Sequence, residues 1–132
     1  MNRNKDTMEL TADLAALIST SGRIFTLIRA RTWDAGHDPH KAVSAVQDIR
    51  AWSDAAHNLS SFGEGVRRAE SGLETDQDRF RGDGHFLARV LEREAYRSEA
   101  EHPLVGQALR EAAALVRRVT DRLAAEEEGP QP

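Results

Sequence analysis

Near the end of the chain Val105, Leu109, Ala112, Val116, Val119 and Leu123 follow one another at spacings of 4-3-4-3-4. An α-helix turns about 100° per residue, so this rhythm gathers all six on one face. A strand, whose side chains alternate, would scatter them over both faces. Leu10, Leu14, Leu17, Ser21, Ile24 and Ile28 repeat the pattern, with Ile18 and Phe25 widening the stripe. They predict a core-facing helix of about seven turns. No segment alternates with period two and carries β-branched residues, so strands are not expected.

The remaining segments fill in the same architecture. Asp38 reads as an N-cap and Pro39 as a first helical residue. The helix they open has the expected inward line Ala42, Val46, Ile49, Ser53 and Ala56, flanked by Ala45, Trp52 and Leu59. Asn58 and Ser60 are expected to close it. Ser61 and Glu64 form a capping-box pattern that predicts a third helix. Its face runs through Phe62, Val66, Ala69, Leu73 and Phe80 as far as Arg81. The GDG at residues 82–84 predicts a break or kink, because two glycines so close cost a helix about 2 kcal/mol against alanines. Leu87 and Leu91 carry the stripe onward, so one kinked helix is the alternative. A last helix begins at Pro103, and Glu126 to Glu128 with the tail GPQP are expected to end order.

Together these segments predict an all-α, antiparallel helical bundle of four to five helices. The whole chain, 1–132, is expected to be one domain, with flexible tails at about 1–6 and 128–132. The stripes are rich in alanine and serine, which lets helices approach closely but supplies few large anchors. Such a modest core is expected to be completed by dimerising.

Charge and composition narrow the functions. A formal net charge of −4 makes a nucleic-acid partner unlikely, since such binders carry a basic field. The 18 basic residues are 16 arginines plus Lys5 and Lys41, a bias attributable to codon usage rather than phosphate recognition. The chain has no cysteine, so it has neither disulfides nor a thiolate metal or redox centre, and it suits a reducing compartment. No apolar run approaches the roughly 18 residues of a membrane span. The N-terminal MNRNKDTMEL lacks the apolar stretch of a signal peptide. A cytoplasmic protein without a membrane partner is expected.

One trio stands out in DIRAWSDAAHNLSSF, residues 48–62. Arg50, Asp54 and His57 are spaced four and three apart and share a helix flank beside the expected core line. As a catalytic set, Asp54 would fix the tautomer and charge of His57 while Arg50 held an anionic substrate. Arg50 and His57 enclose six residues, AWSDAA, which resembles the Arg-x(4–6)-His motif of the helical ribonucleases called HEPN. That resemblance implies an all-helical, metal-independent ribonuclease with Arg50 and His57 in its site. As a structural set, Arg50 and Asp54 form a border salt bridge worth about 0.3 kcal/mol, and His57 suits the helix C-terminal dipole. The structural reading is preferred, because titrating pairs on helix edges are common and active ones rare.

Other clusters yield to local explanations. TWDAGHDPHKA, residues 32–42, brings His37 and His40 near Asp34 and Asp38, a ligand chemistry suited to zinc. Gly36 as a C-cap and Asp38-Pro39 as a helix start explain the same loop without metal. The pair His37-Asp38 also resembles the HD phosphohydrolases, whose distant His and Asp partners have no assignable counterpart here. Arg89, Arg93 and Arg97, interleaved with Glu92, Glu94 and Glu99, read as a solvated, salt-bridged face. Trp33 and Trp52 are candidates for the core or for an interface anchor. No cofactor or metal is implied. The expectation is a non-catalytic helical protein acting through protein–protein contacts, as a regulatory, inhibitor or immunity-type module, and forming a homo-oligomer. Its alternatives are the HEPN-like ribonuclease and a helical nucleic-acid-binding regulator.

Overall fold

The computed structural model describes the backbone of residues 3–70 and 84–128, and side chains over 8–68 and 84–125. Among the described residues there are four helices and no strands: α1 (Arg3–His37), α2 (Ala42–Glu70), α3 (Gly84–Ser98) and α4 (Pro103–Glu128). Contacts between helices fix an up-down-up-down order. Arg31 meets Asp48 across α1 and α2, Trp52 meets Ser98 across α2 and α3, Arg117 meets Glu92 across α3 and α4, and Arg122 meets Glu9 across α4 and α1. The turns 38–41 and 99–102 therefore lie at the same end of an antiparallel bundle. None of its helices is long and apolar enough to cross a membrane, among the described residues.

The two turns are built by local chemistry. Asp38 accepts a hydrogen bond from the His40 backbone N–H at 3.0 Å, and the Lys41 N–H bonds the Asp38 carbonyl at 3.0 Å. That makes a tight turn before α2, with Pro39 inside it. The second turn is closed by Glu99 N–H to Ala95 O at 2.9 Å and His102 N–H to Ser98 O at 2.8 Å. Pro103 then opens α4, where its missing N–H costs nothing. Between α3 and α4 the backbones come close. A Cβ on Gly84 would collide with the Thr120 side chain, and one on Gly106 would lie 2.6 Å from the Glu99 Cβ.

The core follows the α4 stripe as expected. Val105, Leu109, Ala112, Val116 and Val119 are buried, and they face Leu10, Leu17, Ile24 and Ile28 of α1, Trp52, Leu59 and Val66 of α2, and Ala88, Leu91 and Ala95 of α3. On α1 the widening residues are not in this core: Ile18 is 75% exposed and Phe25 46%.

Two expectations for α2 need correction. Its inward line is Ala45, Asp48, Trp52, Ala55, Leu59, Phe62 and Val66, spaced 3-4-3-4-3-4, and Val46 is 57% exposed. Of the expected line, Ala56 is fully buried and Ile49 packs against the core, while Ala42, Val46 and Ser53 lie on the neighbouring flank, because the true line passes through a charged residue. Second, α2 does not end at Asn58, and no third helix opens at Ser61. Both positions lie inside one 29-residue helix. Asn58, Ser60 and Ser61 are exposed there, so their hydroxyls and amide face water without competing for the backbone. Of the GDG segment, Gly84 opens α3, while Leu73, Phe80, Arg81 and Gly82 lie outside the described residues. At the ends, α1 begins at Arg3, inside the segment expected as a tail, and α4 runs through Glu128.

Candidate functional site

Arg50, Asp54 and His57 are all exposed. They occupy the outer side of α2, opposite Trp52, Ala55 and Leu59, rather than the border of the core. Among the described residues no hydrogen bond or ion pair joins them, so the expected Arg50–Asp54 salt bridge is not formed. The loop histidines and carboxylates have separate local roles. Asp34 takes a hydrogen bond from Arg31 Nη1 at 3.0 Å, and Asp38 caps His40. His37 stacks on Trp33 at 3.6 Å with its Nδ1 2.8 Å from the Trp33 carbonyl. Among the described residues no three His, Asp or Glu side chains converge to hold a metal ion.

The arginine row also divides. Arg97 binds Glu94 on its own helix and reaches Asp48 on α2 at 3.2 Å. Glu92 and Glu99 pair instead with Arg117 and Arg110 of α4, and Arg89 lies over the Phe86 ring. Trp52 is fully in the core, whereas Trp33 is 65% exposed.

Two features carry more than packing. The first is a buried polar cluster at the turn end, centred on Asp48. Arg31 donates to it through Nε at 3.1 Å and also to Ser44 at 3.2 Å, while Arg97 Nη2 donates to the other carboxylate oxygen at 3.2 Å. His102 Nε2 stands 3.4 Å from Asp48, an ion pair only when the ring is protonated. The Trp52 indole N–H donates to Ser98 Oγ at 3.0 Å, whose hydroxyl donates to Glu94 at 3.1 Å. Asp48 thus ties α2 to α1 and to α3, and to the turn before α4 when His102 is protonated. Burial alone would push the Arg31 guanidinium pKa down, but hydrogen bonds and charges from Asp34 and Asp48 outweigh it and the value stands raised. Arg97 is raised too, chiefly by its hydrogen bond to Glu94. Sequence inspection passes over this cluster, although one signal marks it. Arg31 and Asp48 each fall on an apolar stripe, where a charge must be paired to be buried.

The second feature is an apolar groove of about 400 Å³ on the outer face of the α1–α2 pair. Ile18 and Phe25 of α1 stand on one side, Ser60 and Gly63 of α2 on the other, with Leu14, Leu17 and Leu59 beneath. Gly22 and Gly63 both open onto empty space: a Cβ at either would meet nothing within 4 Å. At one end Glu64 accepts hydrogen bonds from Arg67, which holds the Glu64 carboxyl below the usual carboxylate range. The flank continues beyond the groove at heptad spacing. Thr11, Ile18, Phe25 and Thr32 lie in one line on α1, and Val46, Ser53, Ser60 and Arg67 in another on α2. Val46, left out of the core, belongs to this face.

Comparison of the chain with protein-family models, with curated proteins and with solved structures finds no match.

Proposed function

We propose that this protein is a non-catalytic helical interaction module that works as a homodimer through the α1–α2 face. The observation that carries the reading is the unfilled groove. Small residues leave an apolar groove of about 400 Å³ open to solvent beside two large exposed side chains, and contiguous exposed apolar surface is what interaction sites present. A second copy is the occupant that this shape favours. Bumps (Ile18, Phe25) and hollows (Ser60, Gly63) run side by side on one face, and a two-fold axis can seat each copy's bumps in the other's hollows. Burying Ile18 and Phe25 in this way would remove apolar surface from water at about 25 cal/mol per Å².

Because the chain has no cysteine, single introduced thiols report the contact cleanly. Mixing Ile18→Cys with Ser60→Cys protein under mild oxidation is expected to give a disulfide-linked pair. Tyr96→Cys, on the outer side of α3, is expected to give none with either. Equal cross-linking of all combinations, or none, rejects the face.

A further inference from the structure

On the opposite flank of α1 from the groove, the α1–α4 seam opens at the turn end into a second cavity of about 390 Å³. Leu27, Trp52 and Val105 give it apolar walls, and Asp34 and Glu101 give it carboxylates. Arg31 also lines it, but its guanidinium is already matched by Asp48 and Asp34, each at 3.0 Å. Glu101 is exposed and makes no ion pair among the described residues. With its polar cluster the cavity sets Asp34, Asp48, Glu94 and Glu101 against Arg31 and Arg97. That is two more carboxylates than guanidiniums, and the His102 ring, which also lines the cavity, adds a positive charge only when protonated.

We propose that this cavity binds a small organic cation, a primary ammonium carried on an apolar body. The ammonium pairs with Glu101 and with the Asp34 oxygen that Arg31 leaves free. The body lies against Leu27, Trp52 and Val105. A volume of this size with mostly apolar walls and a few charged groups is what small-molecule sites share. An anion would enter against the local charge excess. A bare divalent metal would find fewer oxygens than the six or so it requires, and apolar walls besides. The site is separate from the dimer face, so it does not depend on the proposed function.

The test is an NMR titration of the full chain with hexylamine, hexanol and hexanoate. Hexylamine is expected to shift the Trp52 indole and Val105 amide signals saturably, with hexanol about tenfold weaker and hexanoate without effect. Glu101→Gln is expected to weaken hexylamine about three- to fivefold, and Glu101→Lys to abolish its binding. Glu101 has no structural partner, so both variants should fold. A dimer-breaking variant, Phe25→Asp, should bind as the parent does. The proposal is overturned if hexanol binds as well as hexylamine, if hexanoate binds more tightly, or if no probe saturates.

Discussion

The α3–α4 and α1–α2 hairpins use glycine in opposite ways. Between α3 and α4, Gly84 and Gly106 stand where a Cβ would strike Thr120 or Glu99, so their smallness is fully occupied by close helix packing. On α1 and α2, Gly22 and Gly63 face open space beside exposed Ile18 and Phe25. At these glycines one pair of helices is closed against its neighbour and the other is open. A small residue in an apolar stripe therefore carries two meanings, and only the neighbouring helix decides between them.

The contrast can be broken at several points. The largest effect is expected at the joint between the hairpins. Asp48→Ala removes the carboxylate shared by Arg31 and Arg97 and should cost about 3–5 kcal/mol, as loss of one partner from a buried ion pair does. Urea denaturation measures it, and a loss below about 1 kcal/mol would mean that the cluster ties nothing together. Next come the close-packed glycines. Gly84→Ala and Gly106→Ala should each destabilise by about 1–3 kcal/mol through overpacking. The open glycines should respond with the other sign. Gly22→Ala should raise the stability of the monomer, measured at low concentration, by about 0.5–1 kcal/mol, because helix propensity improves and nothing is struck. Destabilisation at both pairs would erase the difference between the hairpins. The smallest effects belong to the outer side of α2. Arg50→Ala, Asp54→Ala and His57→Ala should each fall within about 0.5 kcal/mol of the parent, as isolated surface changes do. A loss well above 1 kcal/mol would show that the trio is held in an interaction.

Much of this fold is legible in the chain. The α4 stripe from Val105 to Val119 and the α1 positions Leu10, Leu17, Ile24 and Ile28 are buried as their spacing requires. The α2 stripe is read partly out of phase, with Ala45, Trp52 and Leu59 taken as its flank, because its true line contains Asp48, and an unpaired charge has no place in a core. The pairing that makes it tolerable comes from Arg31 and Arg97, 17 and 49 residues away, which no local pattern announces. The break expected at Asn58 to Ser61 fails for a related reason. Cap residues end a helix only where the chain also has cause to leave it, and Leu59, Phe62 and Val66 give α2 continuous contact with the core. The groove is half legible: Ile18 and Phe25 visibly widen a stripe, but whether that width meets the core or solvent depends on where α2 lies. The positions of Arg50, Asp54 and His57 on the helix surface follow from phase, and phase is what the charged core residue obscures.

The most direct measurement is sedimentation equilibrium of the parent chain and of Gly63→Leu at micromolar concentration. A Cβ at position 63 would meet nothing within 4 Å, and the rest of the leucine would fill the groove that a second copy needs. The parent is expected at twice its mass of 14.6 kDa, and Gly63→Leu at 14.6 kDa with its helices intact. A parent that stays at 14.6 kDa as its concentration rises, or a Gly63→Leu chain that still pairs, would contradict the α1–α2 groove as the seat of a second copy.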